Sequence, residues 1–264
     1  MKKFLTVALA GVLAASMLFT GCSKKAESKV PDKLIVGTNA EFLPFEYMND
    51  KKQPEGFDIA MIKEIGKRMG KKVEIKNMEF KSLIGAMESD SINAIIAGMT
   101  KTEKREKAVD FSDSYYTTNQ AIILKKDSKI TKLAQLDGKK IGVQEGTTGD
   151  LISSGDKFGD GKKAKVLVKG AKVKRFKKGV DAVMDLKNGS VDAVVIDELT
   201  ANEFVKKNAK KLKIVIDSAG SEYYCIALTK GNTAYKEEVN KQIKAIKEDG
   251  TYDKLKAKYI DSKN

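Results

Sequence analysis

Short apolar runs bounded by turn residues alternate along the chain with segments whose apolar side chains recur every three or four positions. Leu34-Ile35-Val36-Gly37 reads as a strand. Gly56-Phe57-Asp58 opens a helix in which Ile62, Ile65 and Met69 share one face, and Gly70 stops it. Val73-Glu74-Ile75 alternates as a strand, Leu83 to Glu88 suits a short helix, and the apolar run from Ile92 to Met99 reads as a buried strand. This β-α-β-α-β order predicts a sheet with helices on both faces.

The second half follows a similar plan. Ala121-Ile122-Ile123-Leu124 and Gly138 to Gln144 read as strands. The turn Glu145-Gly146-Thr147-Thr148-Gly149-Asp150 then starts a helix, and the segment from Gly155 to Lys165, rich in Gly, Asp and Lys, reads as a surface loop. Val183 to Asp197 echoes Ala86 to Gly98: helix, turn, buried strand, then a polar residue or a glycine. Lys213-Ile214-Val215-Ile216 and Glu222 to Leu228 supply two more strands. Helices at about Thr233–Glu248 and Tyr252–Tyr259, broken at Gly250, close the chain.

The N-terminus obeys a different pattern. Met1-Lys2-Lys3 is followed by an apolar, Ala-rich stretch from Phe4 to Phe19 and by small residues before Cys22, as in an export signal. Cys22 directly after Gly21 resembles a bacterial lipoprotein signal, whose Cys becomes the lipidated first residue. Phe19 departs from that motif, which has Leu three residues before the Cys; Leu18 lies four before. An uncleaved anchor is the alternative, although the stretch is at the short end of what spans a bilayer. The polar residues Ala26 to Asp32 would form a tether. Cys225, within Tyr224-Cys225-Ile226-Ala227-Leu228, reads as a buried, inert thiol.

Composition narrows the function. The 264 residues allow one large or two ordinary domains, and three prolines with no Gly/Ser-rich linker argue against separate beads. The net charge of +14 comes mostly from Lys interleaved with Glu and Asp, with no basic block and no Trp. A solvated surface fits this better than a nucleic-acid-binding face. The absence of His removes the commonest general base and zinc ligand, and two Cys cannot build a metal site. No cofactor is expected.

The candidate chemistry centres on Ala97-Gly98-Met99-Thr100-Lys101-Thr102-Glu103-Lys104-Arg105. Gly98 lets the backbone come close to another group. Thr102 and Glu103 look like a helix start, which would hold Arg105 just beyond the carboxyl end of a strand, where ligands of open α/β sheets sit. Its planar fork of donors suits a carboxylate; the other reading is a surface Arg on an ordinary helix. Thr38 to Tyr47 is a loop with three aromatics, either binding groups or lids on the core. The Glu145–Asp150 turn points backbone N–H groups beyond a strand end and attracts anions, without the Lys-Ser/Thr of a P-loop. Asp197, also at a strand end, is either a helix cap or a carboxylate that needs a partner.

Together these segments resemble the polar amino-acid-binding proteins of ABC importers, the extracellular solute-binding family that includes glutamine-, histidine- and arginine-binding proteins. The runs that carry the resemblance are Gly37 to Glu46, Gly56-Phe57-Asp58-Ile59, Ala97 to Arg105, Asp110-Phe111-Ser112, Gly142 to Gly149, Val191-Asp192-Ala193-Val194 with Asp197, and Glu248 to Tyr252. The resemblance implies an α/β, two-lobed periplasmic-binding-protein-like fold (type II), each lobe a sheet with helices on both faces, joined by two hinge strands. Residues 1–21 would be the lipoprotein signal peptide and 22–30 the tether. Residues 31–116 and 224–264 would form lobe 1, residues 117–223 lobe 2, with crossings near Tyr116–Ala121 and Gly220–Tyr224.

The resemblance also implies roles. Arg105 would grip the α-carboxylate with N–H groups of Thr100 and of Thr147 or Thr148. The Gly98 carbonyl, Thr100 hydroxyl and Asp197 carboxylate would receive the α-ammonium. Phe42 and Phe57 would sandwich the side chain, and Asn39, Glu41 and Gln144 would set specificity. The expected function is a monomer, lipid-anchored through Cys22 outside the cytoplasm, that delivers a polar, basic L-amino acid to an ABC permease. A glutamine- or cystine-binding member is the alternative, as is a periplasmic cyclic-carboxylate dehydratase on the same fold.

Overall fold

A computed structural model describes residues 29–154, 168–216 and 221–261. The apolar leader, Cys22, most of the tether and the segment 155–165 lie outside the described residues. Among the described residues, no helix is long and apolar enough to cross a membrane.

In chain order the elements are β1 (Lys33–Thr38), β2 (Glu41–Phe42), β3 (Glu46–Met48), β4 (Pro54–Glu55), α1 (Phe57–Arg68), β5 (Lys72–Asn77), α2 (Leu83–Glu88), β6 (Ala94–Ile95), α3 (Glu103–Glu106) and β7 (Val109–Thr118). There follow β8 (Gln120–Lys125), β9 (Lys140–Gln144), α4 (Thr148–Ser154), β10 (Lys172–Phe176), α5 (Gly179–Asn188), β11 (Ala193–Asp197) and α6 (Glu198–Lys206). β12 (Leu212–Ile216), β13 (Glu222–Thr229), α7 (Thr233–Glu248) and α8 (Thr251–Tyr259) complete the chain.

Two five-stranded sheets result, in the orders β5-β1-β6-β13-β7 and β10-β9-β11-β8-β12. The first is parallel across β5, β1 and β6, then antiparallel at β13 and β7. The second is parallel across β10, β9 and β11, then antiparallel at β8 and β12. The chain passes from the first sheet to the second at Asn119, between β7 and β8, and returns between β12 and β13.

The central strands are apolar on both faces because helices cover both. In β8, Ala121 and Ile123 join the largest core cluster, while Ile122 and Leu124 join another. In β13, Ile226 and Leu228 face the largest cluster and Cys225 and Ala227 the opposite side. A strand buried on both faces reads as a continuous apolar run, as these do. The largest cluster draws Val36, Ile96 and Tyr224 from one sheet and Ile123, Val194 and Ile196 from the other. Cys225 is a buried free thiol, pushed up to about 11 by burial.

The run from Ile92 to Met99 departs from a regular strand: only Ala94 and Ile95 are laddered. Ile96 N–H still donates to the Gly37 carbonyl at 3.1 Å. Gly98 then takes φ +52°, and the Met99 carbonyl accepts from Cys225 N–H at 3.0 Å. The glycine turns the chain away from the ladder so that the next residues cross the end of the sheet.

A second glycine fixes the start of α1. Gly56 sits at φ +128°, and a Cβ there would lie 2.2 Å from the Phe45 carbonyl oxygen. This close approach lets Phe57 and Asp58 N–H groups donate to the Pro44 and Phe45 carbonyls at 3.1 and 2.9 Å. Gly56→Ala should therefore destabilise the fold by about 2 kcal/mol or more. A lower urea midpoint with unchanged slope is the expected readout.

Candidate ligand-binding site

The carboxyl ends of β1, β6, β9 and β11 converge between the sheets on a small cavity. Asn39, Phe42, Glu46, Phe80, Ala97, Gly98, Thr100 and Arg105 line it from one side and Gln144, Thr147, Thr148 and Asp197 from the other. Its free space is about 10 Å³, room for roughly one water.

Arg105 owes its place to the turn before it. The Thr102 hydroxyl caps α3 by accepting Arg105 N–H at 3.2 Å. The guanidinium is buried and reaches across the cavity, donating to the Thr100 carbonyl on one side and to the Gly146 carbonyl, at 3.0 Å, on the other. It lies 5.3 Å from the centre of the Phe80 ring, a distance at which cation–π attraction operates. Burial pulls its pKa down to about 10, against the opposing charges of Glu222 and Asp197. No carboxylate among the described residues is in salt-bridge contact with it.

Asp197 occupies the N-cap position of α6 but makes no side-chain cap bond. Its carboxylate instead accepts from Gln120 Nε2 at 2.8 Å and from the Tyr224 hydroxyl. Burial pushes it up to about 7, with the nearby Glu222 charge adding to the rise. Of the two readings open from sequence, the cavity rather than the helix end claims this side chain. Glu46 is fully buried beside the carboxylate of Asp58. Burial, then the charge of Asp58, raises its pKa well above the carboxylate range. Asp58 accepts from Gly98 N–H at 2.8 Å and the Tyr115 hydroxyl at 2.7 Å, and burial brings it to about 6.

The sequence from residue 34 to 262 matches the family model of bacterial extracellular solute-binding proteins, family 3. The chain belongs to this family. The arginine-binding extracellular protein ArtP of Bacillus subtilis is 33% identical over 263 residues, covering 98% of each chain. An ancestral arginine-binding protein solved with arginine superposes with a TM-score of 0.78 at 42% identity, over 88% of this chain and 100% of that one. The ancestral arginine-binding protein solved with glutamine gives 0.79 at 42% identity, over 88% and 99%.

In this family member, two of the residues singled out from sequence lie elsewhere. Phe57 is fully buried and does not reach the cavity; it packs against Phe45, Tyr116 and Tyr252 at centroid distances of 6.4, 6.0 and 5.5 Å. The turn at Gly56 aims it into the core beneath α1. The second aromatic at the cavity is Phe80, an isolated ring between Glu79 and Lys81 just past the end of β5, and that isolation was the available signal. Glu41 is not at the cavity wall either. Its carboxylate accepts from Lys178 Nζ at 2.7 Å and stays partly exposed.

Asn39 and Gln144 meet across the cavity, Gln144 Nε2 donating to Asn39 Oδ1 at 2.8 Å. Thr147 spends its hydroxyl on the Gln144 carbonyl at 2.8 Å. Thr100 and Thr148 both donate to Glu222 Oε2, at 2.6 and 2.7 Å. Glu46, Gln120, Tyr224 and Glu222 escaped sequence reasoning, since each sits in an ordinary strand and meets the site only through the crossing of the two sheets.

The raised Asp197 predicts a pH signature. Its unfolded form ionises near 4 and its folded form near 7, so the burden on folding is absent below about pH 4, grows to pH 7 and is constant above. In urea titrations without ligand, the stability of Asp197→Asn relative to wild type should rise between pH 4 and 7 and level off beyond. A gap that stays flat with pH would rule out the buried ionised carboxylate.

Proposed function

We propose that this chain is a substrate-binding protein that closes its two lobes, 31–116 with 224–264 and 117–223, on one free, polar, basic L-amino acid and delivers it to an ABC permease. The carrying observation is one small cavity that contains both a buried guanidinium without a carboxylate contact and a buried carboxylate. A zwitterion supplies the missing counter-charge to each at fixed separation, and leaving water is favourable for it only when every charge is met. Arg105 takes the α-carboxylate together with N–H groups of Thr100 and of Thr147 or Thr148. Asp197, the Thr100 hydroxyl and the Gly98 carbonyl take the ammonium. Phe42 and Phe80 flank the side chain, with Asn39 and Gln144 beside it. Because these groups come from both sheets, the ligand favours the closed form, the differential affinity that a population shift requires.

The chain binds without transforming its ligand: it has no His, and the relatives compared are named as binding proteins. A basic ligand is supported by the arginine named for these relatives. A glutamine ligand is the second reading, favoured by the neutral amide pair of Asn39 and Gln144 and by the engagement of Glu41 with Lys178. The protein acts as a monomer, held outside the cytoplasm by lipid on Cys22.

A thermal-shift panel of the common L-amino acids with ornithine and cystine tests this. A ligand at a thousand times its dissociation constant adds about 4 kcal/mol, raising the midpoint by roughly 10 °C in a chain of this size. Arginine and lysine should give the largest shifts, and Arg105→Ala should abolish every shift alike. No shift with any amino acid would overturn the reading, and a near-normal Arg105→Ala would overturn the carboxylate assignment.

A further inference from the structure

Glu222 is the first residue of β13, where the chain has just returned to the first sheet, opposite Thr118 of β7. One of its oxygens, Oε2, accepts from both Thr100 and Thr148. These threonines belong to different halves of the molecule. Thr100 forms a bridge with Tyr224 of β13 in the first sheet, whereas Thr148 opens α4, which packs on β9 and β11 of the second. A single carboxylate oxygen therefore ties the halves together beside the cavity that both threonines line.

A threonine hydroxyl has one proton and two lone pairs. With the proton directed at Glu222, each oxygen can offer only lone pairs to anything else. Thr148 already uses one of them to accept Gln120 Nε2 at 3.1 Å. An ammonium N–H finds acceptors on such a wall, and a carboxylate meets lone pairs. We infer that Glu222 is a positioning residue that couples closure to ligand orientation: it draws both hydroxyl protons to itself when the halves meet, and so turns Thr100 and Thr148 into acceptors for the ammonium end of an amino acid. This rests on the amino-acid reading above. It also assigns the carboxylate end to Arg105 and backbone N–H groups alone, without help from either hydroxyl. The charge of Glu222 serves the same polarity, since among neighbouring groups it does most to favour the ionised guanidinium of Arg105.

The test compares Glu222→Ala and Glu222→Gln with wild type, using L-arginine and L-glutamine and the same two molecules without the α-amino group. Glu222→Ala should lose about tenfold or more in affinity for the amino acids, the scale of a hydrogen bond to a charged group, and less than about threefold for the des-amino compounds. Glu222→Gln should fall between wild type and the Ala variant, because an amide oxygen also accepts two hydroxyls while the charge that favours the Arg105 guanidinium is lost. Equal losses for both ligand classes, or a Gln variant as weak as the Ala variant, would overturn the role. Ligand-free small-angle scattering gives an independent readout. Glu222→Ala should be more extended than wild type, and an unchanged radius of gyration would overturn the tie. This second arm holds even where wild type binds no amino acid, an outcome that removes the amino-acid reading instead. Should Glu222→Ala not fold, Thr148→Val cuts the same tie from the other half; it should be more extended than wild type by ligand-free scattering, and an unchanged radius of gyration would overturn the tie.

Discussion

A guanidinium taken out of water has to be met by oxygen, and the burial of Arg105 organises the site around that requirement. One partner is a carbonyl from its own turn and the other a carbonyl from the opposite half of the chain. Neither carries a full negative charge, so the compensation comes through space from Glu222 and Asp197. Those two carboxylates repel each other, which is part of why Asp197 rises towards neutrality. Each of these groups makes sense only with the two sheets closed over them. A positive charge at the end of a short helix thus dictates what stands on the far side of the cleft.

The paths by which the chain crosses between sheets reinforce this. Gln120 follows the first crossing, and Glu222 and Tyr224 follow the second. Their side chains reach Asp197, Thr148 and Thr100, so the crossing strands are wired to the cavity directly. At the rim, Glu41 with Lys178, Glu79 with Lys177, and Glu145 with Lys81 pair residues of opposite halves. Such exposed pairs contribute little individually and are screened by salt. The buried contacts therefore weigh more than the rim pairs in holding the two halves together.

Much of this architecture was legible in the sequence. The alternation of strand and helix, the two glycines at Gly56 and Gly98, the cap at Thr102 and the echo between Ala86–Gly98 and Val183–Asp197 are local signals, and local rules read them. The echo brings Gly98 and Asp197 to the same cavity. The expectation of Phe57 at the ligand rests on the resemblance alone, and no local signal tells which way the turn aims its ring; Gly56 aims it inward. Phe80 was visible as an isolated aromatic but had no partner in sequence to point at it. Glu222 is harder still: its neighbours lie 122 and 74 positions away, and nothing within β13 distinguishes it from a surface residue.

The size of the cavity has a consequence in time rather than in space. With room for about one water, the cavity as it stands cannot hold a molecule the size of an amino acid. On the proposed binding role, capture would then proceed through a separated form of the two halves, and release would too. At high ligand concentration the rate of capture would be limited by how fast the halves part. The contacts that tie the two halves together, Glu222 to Thr100 and Thr148 among them, would then act as a clock on both loading and unloading.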